Sequence, residues 1–149
     1  MEKIVSAEDL HKLPHRYRVM FAIFCAEQVV DLVREQDKEV CVKAIDTAKR
    51  LLKGEVSKEE CRAATNAAYA AAYAASDAYA CAAGYATVYA GGAACAADAA
   101  GCAAYAAACA ANAYAFHADK NENKVIKEQW NYYNELLNLD ENLEKILVG

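Results

Sequence analysis

The chain has 149 residues, a net charge of −5, seven cysteines and a single proline, Pro14. One domain of that length can bury about two-thirds of its unfolded surface, and so little turn punctuation argues against a sheet protein. Residues 1–62 hold twelve acids and twelve bases, residues 63–118 only Asp77 and Asp98, and residues 119–149 seven acids and four bases. With no basic stripe for phosphate contacts, direct nucleic-acid binding is not expected, whereas an acidic surface suits a basic protein.

The N-terminal MEKIVSAEDLHKLPHR lacks the apolar core of a secretory signal, so a cytoplasmic protein with reduced thiols is expected. Ser6 and Asp9 form a capping signal for a short helix. Pro14 can open a second helix running to about Arg34, whose Val19, Met20, Phe21, Ile23, Phe24 and Cys25 make an almost continuous apolar patch and mark it as central. Asp37 can cap a third helix, in which Val40, Cys41, Ala44, Ile45, Ala48, Leu51 and Leu52 recur at helical spacing. Gly54 closes that helix, and Ser57 with Glu60 starts the next, antiparallel one.

Residues 63–118 are dominated by alanine. Residues 78–97 carry no charge and have transmembrane length, yet Val88 is the only Leu, Ile, Val or Phe among them, so no membrane span is expected. Small side chains instead let helix backbones approach closely, with larger residues filling gaps. Such faces can pair within one chain or between copies, which leaves a homo-oligomer open. Cys81, Val88, Cys95, Cys102, Cys109 and Phe116 fall seven residues apart, and DAYACAAGYA (77–86) aligns with DAAGCAAYAA (98–107). The pattern predicts a repeated helical unit, with Gly91-Gly92 as its first break. In the tail, residues 119–149, Ile126, Trp130, Tyr133 and Leu137 share a helical face, and Asp140 can cap a final short helix. The whole predicts an all-α, compact bundle of about six to eight helices with close-packed alanine-rich helices at its centre.

Chemistry is sparse. Cysteines seven apart on one helix are roughly 10 Å apart along its axis, too far to share a metal ion with bonds of about 2.3 Å. No metal or cofactor is expected, and no catalytic motif appears, so an enzyme is not expected. Asp77 and Asp98 either cap helices at the surface or, with Tyr85 and Tyr105, line a site for a small cation or metabolite. Seven tyrosines lie in the alanine region, including the pairs Tyr69/Tyr73 and Tyr85/Tyr89; an exposed row of them would suit a protein interface.

RYRVMFAIFCAEQVVDL, followed by KAIDTAKRLLKGEVSKEECRAATNAAYAAAYAA and further alanine helices, resembles a family of immunity proteins linked to bacterial polymorphic toxin systems. The resemblance covers roughly residues 16–116, and its most specific parts are FCAEQVVDL (24–32) and AIDTAKRLLKGE (44–55). It departs from the family pattern in its many Tyr and Cys and in the tail bearing Trp130. The resemblance implies an all-α cytoplasmic protein that neutralises a toxin, often a nuclease, by occlusion. From the residues themselves, the expected contact surface is Trp130, Tyr132, Tyr133, Glu135, Asp140, Glu141 and Glu144: aromatic anchors with an acidic rim. Two other functions fit a small acidic helical protein: a phage or mobile-element inhibitor of a host defence nuclease, and a small-ligand-binding bundle.

Overall fold

A computed structural model describes residues 3–117 and 121–148, with side chains described as far as residue 142. Seven α-helices make up the described part: α1 (Ala7–Leu10), α2 (His15–Val29), α3 (Lys38–Leu52), α4 (Lys58–Ala74), α5 (Ala78–Cys95), α6 (Ala100–Phe116) and α7 (Glu122–Val148). Three of the helix-end signals in the first sixty residues, Ser6, Gly54 and Ser57, work as their chemistry requires. Ser6 and Asp9 form the reciprocal capping box, the Asp9 N–H donating to Ser6 Oγ at 3.2 Å and the Ser6 N–H to Asp9 Oδ2 at 3.0 Å. Gly54, at φ 73°, turns the chain after α3 so that Gly54 N–H donates to Leu51 O and Glu55 N–H to Arg50 O. Ser57 Oγ then accepts from Glu60 N–H and starts α4.

Three expectations are corrected. α2 ends at Val29 and gives way to a 3-10 turn, Val30–Leu32, before Arg34. Asp37 precedes α3 but does not cap it, because Arg34 Nε takes its carboxylate at 2.6 Å. Asp140 starts no separate helix: α7 runs unbroken from Glu122 to Val148, since one interior Asp costs helix only a few tenths of a kcal/mol and no Gly or Pro is there to stop it.

The breaks in the alanine region also fall elsewhere than Gly91-Gly92. They lie at residues 75–77 and 96–99, each ending in the Asp of the 21-residue repeat or just after it. The repeat therefore marks two successive helix starts, and Gly91-Gly92 sits inside α5. These glycines serve packing. A methyl group at Gly84 would lie 2.7 Å from Ala72 Cβ and 3.0 Å from Ala72 Cα, and one at Gly91 would collide with Thr65 Oγ1. α4 and α5 are thus too close for any side chain there.

α5 packs most extensively on α6 and α4 and also touches α2 and α3; α2 lies against α5, α6, α3 and α7. The core joins two kinds of surface. Val19, Phe21, Ile23 and Val29 of α2 supply bulk, while α5 and α6 contribute Ala83, Ala86, Ala90, Ala103, Ala106 and Ala110, all fully buried. α7 closes the bundle with Val125, Ile126, Tyr133 and Leu136, so its inner face is rotated from the expected one and leaves Trp130 and Leu137 at the margin. Buried Gln129 ties the layers together, its Nε2 donating to Ala107 O of α6 and to Gln28 Oε1 of α2.

Candidate partner-binding surface

The tail residues divide by chemistry. Tyr133 is buried; its hydroxyl donates to Asp9 O at 2.8 Å and its ring meets Phe21 edge-on at 6.5 Å. Trp130 Nε1 donates to Lys3 O at 2.7 Å, pinning the N-terminal segment. Tyr132 stacks on Phe24, ring centroids 4.3 Å apart, and burial together with Glu135 and Glu27 raises its hydroxyl pKa. These aromatics fasten α7 to the bundle. Glu135 and Glu141 are exposed and Asp140 half-buried, while Glu144 lies outside the described side chains. Of the aromatics expected beside these acids, Tyr133 is buried, while Trp130 and Tyr132 are half-buried.

Asp77 and Asp98 do not meet. They stand at opposite ends of α5, whose 18 residues span about 27 Å. Asp77 is exposed. Asp98 is a clasp: its carboxylate accepts from Ala100 N–H at 3.0 Å and Arg18 Nη1 at 3.1 Å and pairs with His11 Nε2 at 3.0 Å. The Ala100 N–H first, and then His11, hold that carboxyl below the usual carboxylate range. Arg18 continues the clasp by donating Nε to Leu10 O and Leu13 O and Nη2 to His11 O, closing the end of α1. The arrangement stabilises a junction of α1, α2 and α6.

Tyr85 and Tyr105 belong instead to a tyrosine row across three helices. On α4, Tyr69 and Tyr73 stack at 6.3 Å; Tyr69 meets Tyr85 of α5 edge-on at 5.8 Å; one turn later, Tyr89 stacks on Tyr105 of α6 at 5.1 Å. Burial, then the neighbouring Tyr69 and Cys81, raises the Tyr85 pKa, and burial, Cys109 and Tyr105 do the same for Tyr89. Tyr69, Tyr73 and Tyr105 are 50%, 75% and 61% exposed, so the row is open to solvent on α4 and α6, while Tyr85 and Tyr89 of α5 are half-buried. The helices that carry it have no charge between Ala63 and Phe116 except Asp77 and Asp98. The two i,i+4 pairs were visible in the sequence; their junction across α4, α5 and α6 needed the helix packing.

The cysteines are free, and those of the seven-residue row lie half-buried on α5 and α6. Burial pushes the Cys41, Cys95 and Cys109 thiols up to about 11, which leaves them protonated and unreactive near neutrality. Among the described residues, no three His, Cys, Asp or Glu side chains gather as a metal site, and no helix is long and apolar enough to cross a membrane.

A family described as "Imm-5 like putative immunity protein" matches the chain over residues 8–136. The chain belongs to this family. The immunity-family match extends beyond the most specific sequence segments at both ends, taking in α1, with its Asp9 acceptor, and the Trp130 and Tyr133 that fasten α7. The match thus takes in the tail as far as residue 136, including Trp130. No curated protein and no solved structure matches the chain.

Proposed function

We propose that this immunity-family chain neutralises a toxin, a nuclease, by direct non-catalytic binding in the cytoplasm, and that the tyrosine row of α4–α6 is its contact face. The observation that carries the reading is the row itself. Tyrosine supplies large contact area with few rotatable bonds and both apolar and hydrogen-bonding character, and aromatic anchors on a surface without charges desolvate cheaply. The family match supports a toxin as the partner. The nuclease reading rests on charge: the exposed Glu128, Glu135 and Glu141 of α7 belong to an acid excess that would steer a basic enzyme toward the protein.

The test is capture of partners from a lysate of the source organism by tagged protein, with two folded variants beside the wild type. Tyr69→Ser/Tyr105→Ser removes rings that are both at least half exposed, and Glu135→Lys/Glu141→Lys reverses the tail charge without touching the row. Loss of two hot-spot aromatics of about 2 kcal/mol each lowers affinity several hundredfold or more. The tyrosine variant should therefore lose a stoichiometric partner that the wild type retains, while the tail variant binds more slowly and with less salt dependence. Full retention by the tyrosine variant would remove the row from the interface.

A further inference from the structure

Between α2, α3 and α7, none of which carries a residue of the tyrosine row, lies a cavity of about 380 Å³. Its walls are apolar: Met20, Ile23 and Phe24 from α2, Leu52 from α3, and the Tyr132 ring stacked on Phe24. Its rim is cationic. Arg16, Lys49 and Lys53 surround it with one carboxylate, Glu27, so the lining is net positive on a protein whose net charge is −5.

The single acid is already neutralised, since Lys49 Nζ donates to Glu27 Oε2 at 2.9 Å. Arg16 spends one Nη1 bond on Leu52 O at 3.1 Å and has no carboxylate partner among the described residues. The Lys53 ammonium forms no ion pair or hydrogen bond among them, its backbone N–H alone being bonded, to Arg50 O. Two uncompensated cations thus stand over an apolar pocket of the size that holds small ligands.

We propose that this cavity binds an amphipathic carboxylate, a small acid with an aromatic or aliphatic body. The body lies between Met20, Ile23 and the face of Tyr132, and the carboxylate reaches Arg16 and Lys53 at the rim. The two cations orient the acid and discriminate against neutral analogues, because the amide carries no charge to pair with them. The assignment is independent of toxin binding, since none of its residues belongs to the tyrosine row.

The experiment is calorimetric titration of the full chain with 2-naphthoate and, separately, with 2-naphthamide, which has the same rings and no charge. The site predicts saturable one-to-one binding of the acid and binding of the amide weaker by about tenfold or more. Lys53→Glu and Arg16→Gln, checked for an unchanged melting curve, should each weaken the acid by about tenfold and leave the amide nearly unchanged. Glu27→Gln, which removes the only acid from the rim, should bind the acid at least as tightly as the wild type. Absence of saturable naphthoate binding, equal affinity for the amide, or full retention by both folded rim variants would overturn the assignment.

Discussion

Glycine at position 84 is present because α4 leaves no room for a methyl group, and that makes a sharp prediction. Ala is worth up to about 1 kcal/mol over Gly in a helix, so Gly101→Ala, where nothing lies within 4 Å, should be neutral or stabilising by a few tenths. Gly84→Ala should destabilise by about 1–2 kcal/mol despite the same gain, because Ala72 meets the new methyl with its backbone as well as its Cβ. Denaturant melts of the two variants compare them directly; a stabilised Gly84→Ala would mean that the helices separate freely. At Asp98 the prediction concerns pH. Its folded pKa is depressed by the Ala100 N–H and His11, so its stabilising effect is full above the unfolded value of about 3.9 and is lost as pH falls through the folded value. The melting temperature of the wild type should drop more steeply below about pH 4 than that of Asp98→Asn, and parallel curves would show that the clasp carries no stability. Ser6, Gly54 and Ser57 were legible as caps because their partners lie within a few residues. The roles of Gly84, Gly91 and Arg18 were not, because each is defined by a group far away in the chain.

Among the helices, those richest in alanine were the easiest to recognise and the hardest to delimit. Alanine favours helix everywhere, so the ends depend on weak breakers, and Gly91-Gly92 reads as the break although the chain uses the residues before and around Asp77 and Asp98. The close packing that alanine permits also makes it intolerant. Ala103→Leu, at a fully buried site of α6, should cost about 1–3 kcal/mol, whereas Ala115→Leu on the exposed face should lie within about 0.5 kcal/mol of the wild type. Equal stability of the two in thermal melts would mean that α6 packs loosely. α7 illustrates the opposite limit: its helical pattern was clear, but which edge it turned inward was decided by Val125, Gln129 and Leu136 together, so Trp130 and Tyr133, expected on a partner surface, instead tie the tail to Lys3 and Asp9.

For the molecule as a whole, the all-α class and the family were readable from composition and a few segments, because helical periodicity and the FCAEQVVDL and AIDTAKRLLKGE stretches survive any detail of packing. The candidate site was half readable. Its tyrosines were evident, but only the packing of α4, α5 and α6 joins Tyr73, Tyr69, Tyr85, Tyr89 and Tyr105 into one surface. Two faces with different chemistry then share one small bundle: an uncharged tyrosine row, proposed as the protein contact, and a cation-rimmed cavity on the other helices. In the proposed function, the tyrosine row silences a nuclease by occupying it. The most direct measurement is nuclease activity of the purified captured partner titrated with this protein. Activity should fall linearly to its floor at one equivalent of wild type and persist at one equivalent of Tyr69→Ser/Tyr105→Ser. A partner that stays fully active under excess wild type, or that the tyrosine variant inhibits equally well, would contradict it.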